Sequence, residues 1–134
     1  MNLDWPEALP EFEEFLKASG LDCQKRGAVP RYGEKLALYG NGRIAVRVWS
    51  ERGRWFLDVG DTWGRPDEWY DAALIRDLVS DGGDDILPIA EQIKVIQNNW
   101  PSIIEAFGPD RSGQSHERLA SLRLQRVPRL FPGL

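Results

Sequence analysis

The chain is poor in the residues that most often carry chemistry: among 134 residues it has one cysteine, Cys23, and one histidine, His116. A single cysteine forms no internal disulfide, which suits a reducing compartment. With no histidine before residue 116 to activate it, Cys23 reads as a structural thiol rather than a nucleophile. The same scarcity argues against a zinc site built from Cys and His. It also leaves no place for a histidine-based triad inside the body of the chain. No glycine-rich loop is followed by the lysine of a phosphate cradle. Gly40-Asn41-Gly42 reads as a hairpin tip, and Gly82-Gly83 precedes Asp84 and Asp85, which would repel phosphate. The spacing Asp81, Asp84, Asp85 hints at a calcium loop but lacks the glutamate at its twelfth position. No apolar run approaches the roughly 18 residues of a membrane span, and no Lys/Arg-led apolar stretch opens the chain. These absences lead to the expectation of a cytoplasmic protein without a cofactor or a metal.

What is present is ordinary for a globular domain: 42% hydrophobic and 28% charged residues, in a length that suits one domain. Six tryptophans are many for this size, and such side chains carry much of the energy of cores and interfaces. The formal net charge of −4 is unevenly spread. Residues 108–134 hold Arg111, Arg118, Arg123, Arg126 and Arg129 against Asp110 and Glu117, while residues 1–107 hold 12 basic and 19 acidic side chains. An acidic body disfavours nucleic acid, favours a basic partner and aids solubility. The organisation expected is one domain over 1–107 and an Arg-rich tail over 108–134, a short helix or disordered.

The pattern along the chain is α+β. Residues 4–19 predict a helix with Leu9, Phe12 and Leu16 as its stripe, stopped at Ser19-Gly20. Residues 34–60 alternate with period two and predict a three-stranded antiparallel meander, with residues 25–32 the candidate for a fourth strand. In the first hairpin, a three-residue loop pairs Leu38 with Ile44 and puts both apolar rows on one face. In the second, Arg52-Gly53 at the tip pairs Val48 with Leu57, Arg47 with Asp58, and Trp49 with Phe56. Asp67 predicts the N-cap of a second helix bearing Tyr70, Leu74 and Leu78. A stripe from Ile86 through Ile93, Ile96, Trp100 and Ile103 to Phe107 predicts a third helix that Pro101 kinks or divides. Ser115 is placed to cap a short helix running to about Val127. The helices are expected to pack on one face of the sheet.

Two sets of residues stand out as candidate sites. The second sheet face is predicted to carry Tyr39, Arg43, Arg47, Trp49, Phe56 and Asp58, the residue types that anchor protein interfaces. A bland reading competes with this one: the first helix or the tail covers the face, and Arg47–Asp58 is a simple cross-strand pair. Asp61, Asp67, Glu68 and Asp71, with Asp58, form an acidic cluster suited to a carboxylate pair for hydrolysis or to a divalent cation. Asp67 and Glu68 already have a sufficient role at a helix start. The tail arginines suit RNA or an anionic surface, though docking on the acidic body explains them equally well.

The segment YGNGRIAVRVWSERGRWFLDVGDTW, followed by WYDAALIRDL and NNWPSIIEAF, resembles small uncharacterised bacterial proteins, some of which are immunity proteins that accompany polymorphic toxins. The resemblance covers residues 34–107, leaves the tail unmatched, and implies binding rather than catalysis. The leading expectation is therefore a non-catalytic protein-binding module, with a protein partner for which the acidic body favours basic charge, and no membrane. The alternatives are an enzyme using the carboxylates, an RNA-associated accessory protein, or a homo-oligomer.

Overall fold

The structure, a computed structural model, describes residues 5–29, 34–80 and 82–130. Its elements run α1 (Leu9–Ala18), β1 (Asp22–Val29), β2 (Glu34–Gly40), β3 (Ala45–Glu51), β4 (Arg54–Gly60), β5 (Trp69–Asp71), α2 (Ala72–Val79), α3 (Ile89–Asn98), α4 (Trp100–Ala106) and α5 (Ser112–Leu130). The five strands form one antiparallel sheet in the order β1-β2-β3-β4-β5. The protein is α+β, with an N-terminal helix, an antiparallel sheet and C-terminal helices.

Local chemistry explains most boundaries. Helix α1 ends in a Schellman arrangement: Leu21 N–H bonds Leu16 O, Gly20 N–H bonds Lys17 O, and Gly20 takes φ of 90°. Pro101 falls in the first turn of α4, so the long apolar stripe breaks at Asn99 into α3 and α4. The core gathers Phe12 and Leu16 of α1, Val46 and Val48 of β3, Leu57 and Val59 of β4, and Ile96 and Ile103 of the helical layer. Each such side chain contributes roughly 1.5–3 kcal/mol on full burial.

The structure corrects the sequence reading at several points. The first hairpin pairs Gly40 with Ala45 and Tyr39 with Val46, across a four-residue loop rather than three. The Asn41 carboxamide closes that loop by accepting from Arg43 N–H and Ile44 N–H, each at 3.0 Å. This register turns Ala37 and Tyr39 toward the core and leaves Leu36 and Leu38 half-buried on the second face. Tyr39 is thus a core residue and not part of the second face. Its hydroxyl donates to Glu13 Oε2 at 2.6 Å, and burial followed by this bond pushes the phenol upward.

The second hairpin has the predicted register throughout, from Val46↔Val59 to Trp49↔Phe56. Its tip carries Arg52 and Gly53 at φ of 53° and 77°, as a tight two-residue turn requires. Residues 69–71 are a short strand and not the start of a helix, so Asp67 caps nothing and α2 begins at Ala72. Ile86 lies before α3 and is 67% exposed, outside the stripe assigned to it. The 25–32 candidate is β1, which ends at Val29; residues 30–32, like Asp4 of the first helix and Asp81, lie outside the described residues. The arginine-rich segment is a 19-residue helix packed on α2.

Candidate functional site

On the second face the strands present three rows. Leu36, Trp49 and Phe56 form one; Leu38, Arg47, Asp58 and Asp71 the next; Gly40, Ala45, Gly60 and Trp69 the third. Trp49 and Phe56 stack with centroids 4.7 Å apart. The Arg47 guanidinium lies 4.3 Å over Trp69 and 5.5 Å from Trp49, and its Nε donates to Asp58 Oδ2 at 2.8 Å. Trp49 Nε1–H donates to the same oxygen at 2.8 Å. Gly60 admits this arrangement, because a Cβ there would meet the Trp69 ring at 3.0 Å. Asp58 and Asp71 sit directly opposite each other across β4 and β5, a like-charge pair that needs counter-charge. Arg47 supplies it for Asp58, and Arg126 of α5 for Asp71 at 2.8 Å.

A groove of about 790 Å³ opens beside this face, within the range of ligand and side-chain pockets. Trp49, Trp55 and Phe56 make one wall, and Ile86 to Ile89 before α3 make another. Arg126 and Leu130 of α5 complete it. The groove follows the edge of β4, where β5 pairs only with Asp58–Gly60. Beyond that point Gln92 of α3 stands in for a strand: Leu57 N–H donates to Gln92 Oε1 at 2.8 Å, and Gln92 Nε2 donates to Leu87 O at 2.8 Å and reaches Trp55 O at 3.4 Å.

The acidic cluster divides between the two faces. Asp71 joins the groove, Asp67 is exposed in the preceding loop, and Asp61 and Glu68 meet His116 and Tyr70 at the end of the core. The sole histidine therefore lies inside the body, against expectation, its side chain 1% exposed. His116 Nε2–H donates to Asp61 Oδ2 at 3.0 Å, and Tyr70 Oη is 2.6 Å from both His116 Nδ1 and Glu68 Oε2. Ser112 Oγ–H and Gly64 N–H also donate to Asp61. The Ser112 hydroxyl donates its hydrogen bond to Asp61 and not to the imidazole, whose second nitrogen meets the Tyr70 hydroxyl. Among the described residues, no three His, Cys, Asp or Glu side chains converge as metal ligands. Cys23 is exposed on β1.

Burial acts to raise the Asp61 carboxyl, but the bonds from Ser112, Gly64 and His116 outweigh it and hold the group below the usual range. A carboxylate depressed in the folded state stabilises the fold above its unfolded value of about 3.9, and loses that contribution as pH falls toward the lower folded value. Urea midpoints measured from pH 5 down to pH 2 should therefore fall more steeply for the wild type than for Asp61→Asn. Equal slopes would remove Asp61 from the acid response.

The sequence placed Arg47, Trp49, Phe56 and Asp58 together correctly in space, but not Tyr39, and Arg43 lies in the exposed hairpin loop. It missed Trp69, because a three-residue strand gives little alternation. It missed Gln92 and Leu130, which no periodicity marks as belonging to a sheet edge. Neither a family model, nor a curated protein, nor a solved structure matches this chain.

Proposed function

We propose that this protein is a non-catalytic protein-binding module whose partner seats an apolar side chain in the groove beside Trp49 and Phe56. The observation that carries the reading is an open, largely apolar groove of about 790 Å³ walled by the stacked Trp49 and Phe56. Stacked aromatics held by part-buried hydrogen bonds supply the kind of aromatic anchor that interfaces favour. An immunity-like role in a bacterial cytoplasm, against a basic protein, fits the acidic body and the resemblance over residues 34–107. The enzyme reading is weaker, since Asp61 spends its lone pairs on Ser112, Gly64 and His116. The RNA reading is weaker too, since Arg126 and Arg129 are spent on Asp71 and Asp85.

The test is affinity capture from native lysate with the wild type beside Trp49→Ala/Phe56→Ala, the variant first shown folded by circular dichroism. A stoichiometric partner retained by the wild type and lost by the folded variant is expected. A partner held equally by both would place binding elsewhere and sink the reading.

A further inference from the structure

Helix α5 changes character along its length. Ser115, His116, Leu119 and Leu122 are buried and anchor its first part. After Leu122 no side chain is buried: Leu124 is 74% exposed, Val127 41% and Leu130 36%. Charge holds this last stretch in place. Arg126 Nη1 meets Asp71 Oδ2 at 2.8 Å; Arg129 grips both oxygens of Asp85 through Nε and Nη2 at 3.0 Å, with Asp77 Oδ2 at 3.9 Å. Pro128 has no N–H to offer the preceding turn, which weakens the helix here. Both carboxylates, Asp71 and Asp85, belong to the groove wall, as does Leu130.

We propose that the groove recognises a partner segment carrying two cationic side chains about one helical turn apart beside a leucine-sized apolar group, and that Arg126-Val127-Pro128-Arg129-Leu130, on the groove wall, engages the same carboxylates in cis as a stand-in. The inference rests on the partner-binding reading of the groove and adds the chemistry of the partner. Charge carries it. With Arg126 and Arg129 lifted away, the lining keeps Glu51, Asp58, Asp71 and Asp85 against Arg54, with Arg47 reaching in to Asp58. That leaves Asp71 without its ion-pair partner and Asp85 with only the more distant Arg76, beside an apolar floor. A segment supplying two cations and one apolar side chain restores both features at once. Each pair keeps one partner open to solvent, Arg129 at 48% and Asp71 at 35%, so an incoming cation can reach and replace the contacts of the α5 end. The tethered segment competes through its high effective concentration.

The test uses the full chain and a fluorescein-labelled synthetic peptide of residues 123–130, with binding read by fluorescence anisotropy at low salt. The Arg126→Gln/Arg129→Gln variant is expected to bind the peptide roughly tenfold or more tightly than the wild type, in which the cis segment competes. Adding Asp71→Asn/Asp85→Asn should abolish that gain. Should the double arginine variant fail to fold, Arg129→Gln alone should give the same ordering in smaller measure. Equal binding to wild type and variant, no binding to a folded variant, or binding indifferent to Asp71→Asn/Asp85→Asn would each overturn the inference. A partner captured through Trp49 and Phe56 without any peptide binding would remove the proposed partner chemistry alone; failure of both would remove the groove reading as well.

Discussion

His116→Ala is expected to lower the free energy of unfolding by about 3 kcal/mol in urea titration. The imidazole joins α5 to two residues at the far end of the body, Asp61 and Tyr70, across sequence separations of 55 and 46. Its removal leaves a buried carboxylate short of one donor and a buried phenol short of one neighbour. Ser112 and Gly64 still hold Asp61, which keeps the loss at the low end of the roughly 3–5 kcal/mol typical of a broken buried pair. In a double-mutant cycle, Asp61→Asn/His116→Ala should cost less than the two single changes added together. A loss under about 1 kcal/mol for His116→Ala would mean that water replaces the imidazole without penalty.

The second large effect is expected at Gln92. Alanine there strips Leu57 N–H of its acceptor and Trp55 O of its donor at the open edge of β4. An unsatisfied buried backbone group costs about 1–3 kcal/mol, so Gln92→Ala should lower stability by about 2–3 kcal/mol. Gln92→Glu separates the two halves of the role: it keeps the acceptor for Leu57 and loses the donor for Leu87 and Trp55. Hydrogen exchange should then show Leu57 N–H protected in Gln92→Glu and exchanging faster in Gln92→Ala. Equal protection in both variants would show that something other than the side-chain amide satisfies that edge.

Strong local patterns made part of this architecture readable in advance. Val46, Val48, Leu57 and Val59 alternate without exception around an unambiguous two-residue tip, so β3 and β4 follow in register. The β2–β3 hairpin did not yield, because two apolar rows, Leu36/Leu38 and Ala37/Tyr39, offered competing inward faces. The choice went to Tyr39, whose hydroxyl finds Glu13 on α1, a contact no local pattern encodes. For the same reason the site was half legible. Trp49, Phe56, Arg47 and Asp58 are tied by strand pairing alone. Gln92, Arg126, Leu130 and His116 reach their places through helix packing across tens of residues. His116 was assigned to a peripheral tail because composition changes after residue 107, yet Leu119 and Leu122 carry that segment onto the core.

The relay that joins Asp61 to His116 also bears on the order in which the molecule assembles. The sheet is built from strands adjacent in sequence, so its hairpins close over short loops and form early. On the ribosome, Asp61 and Tyr70 are made well before residue 116 emerges, and for that interval they lack the partner that their burial requires. Docking of α5 can then only follow the synthesis of the strands and loop that it joins. Until it occurs, the groove stands without the wall that Arg126 and Leu130 provide.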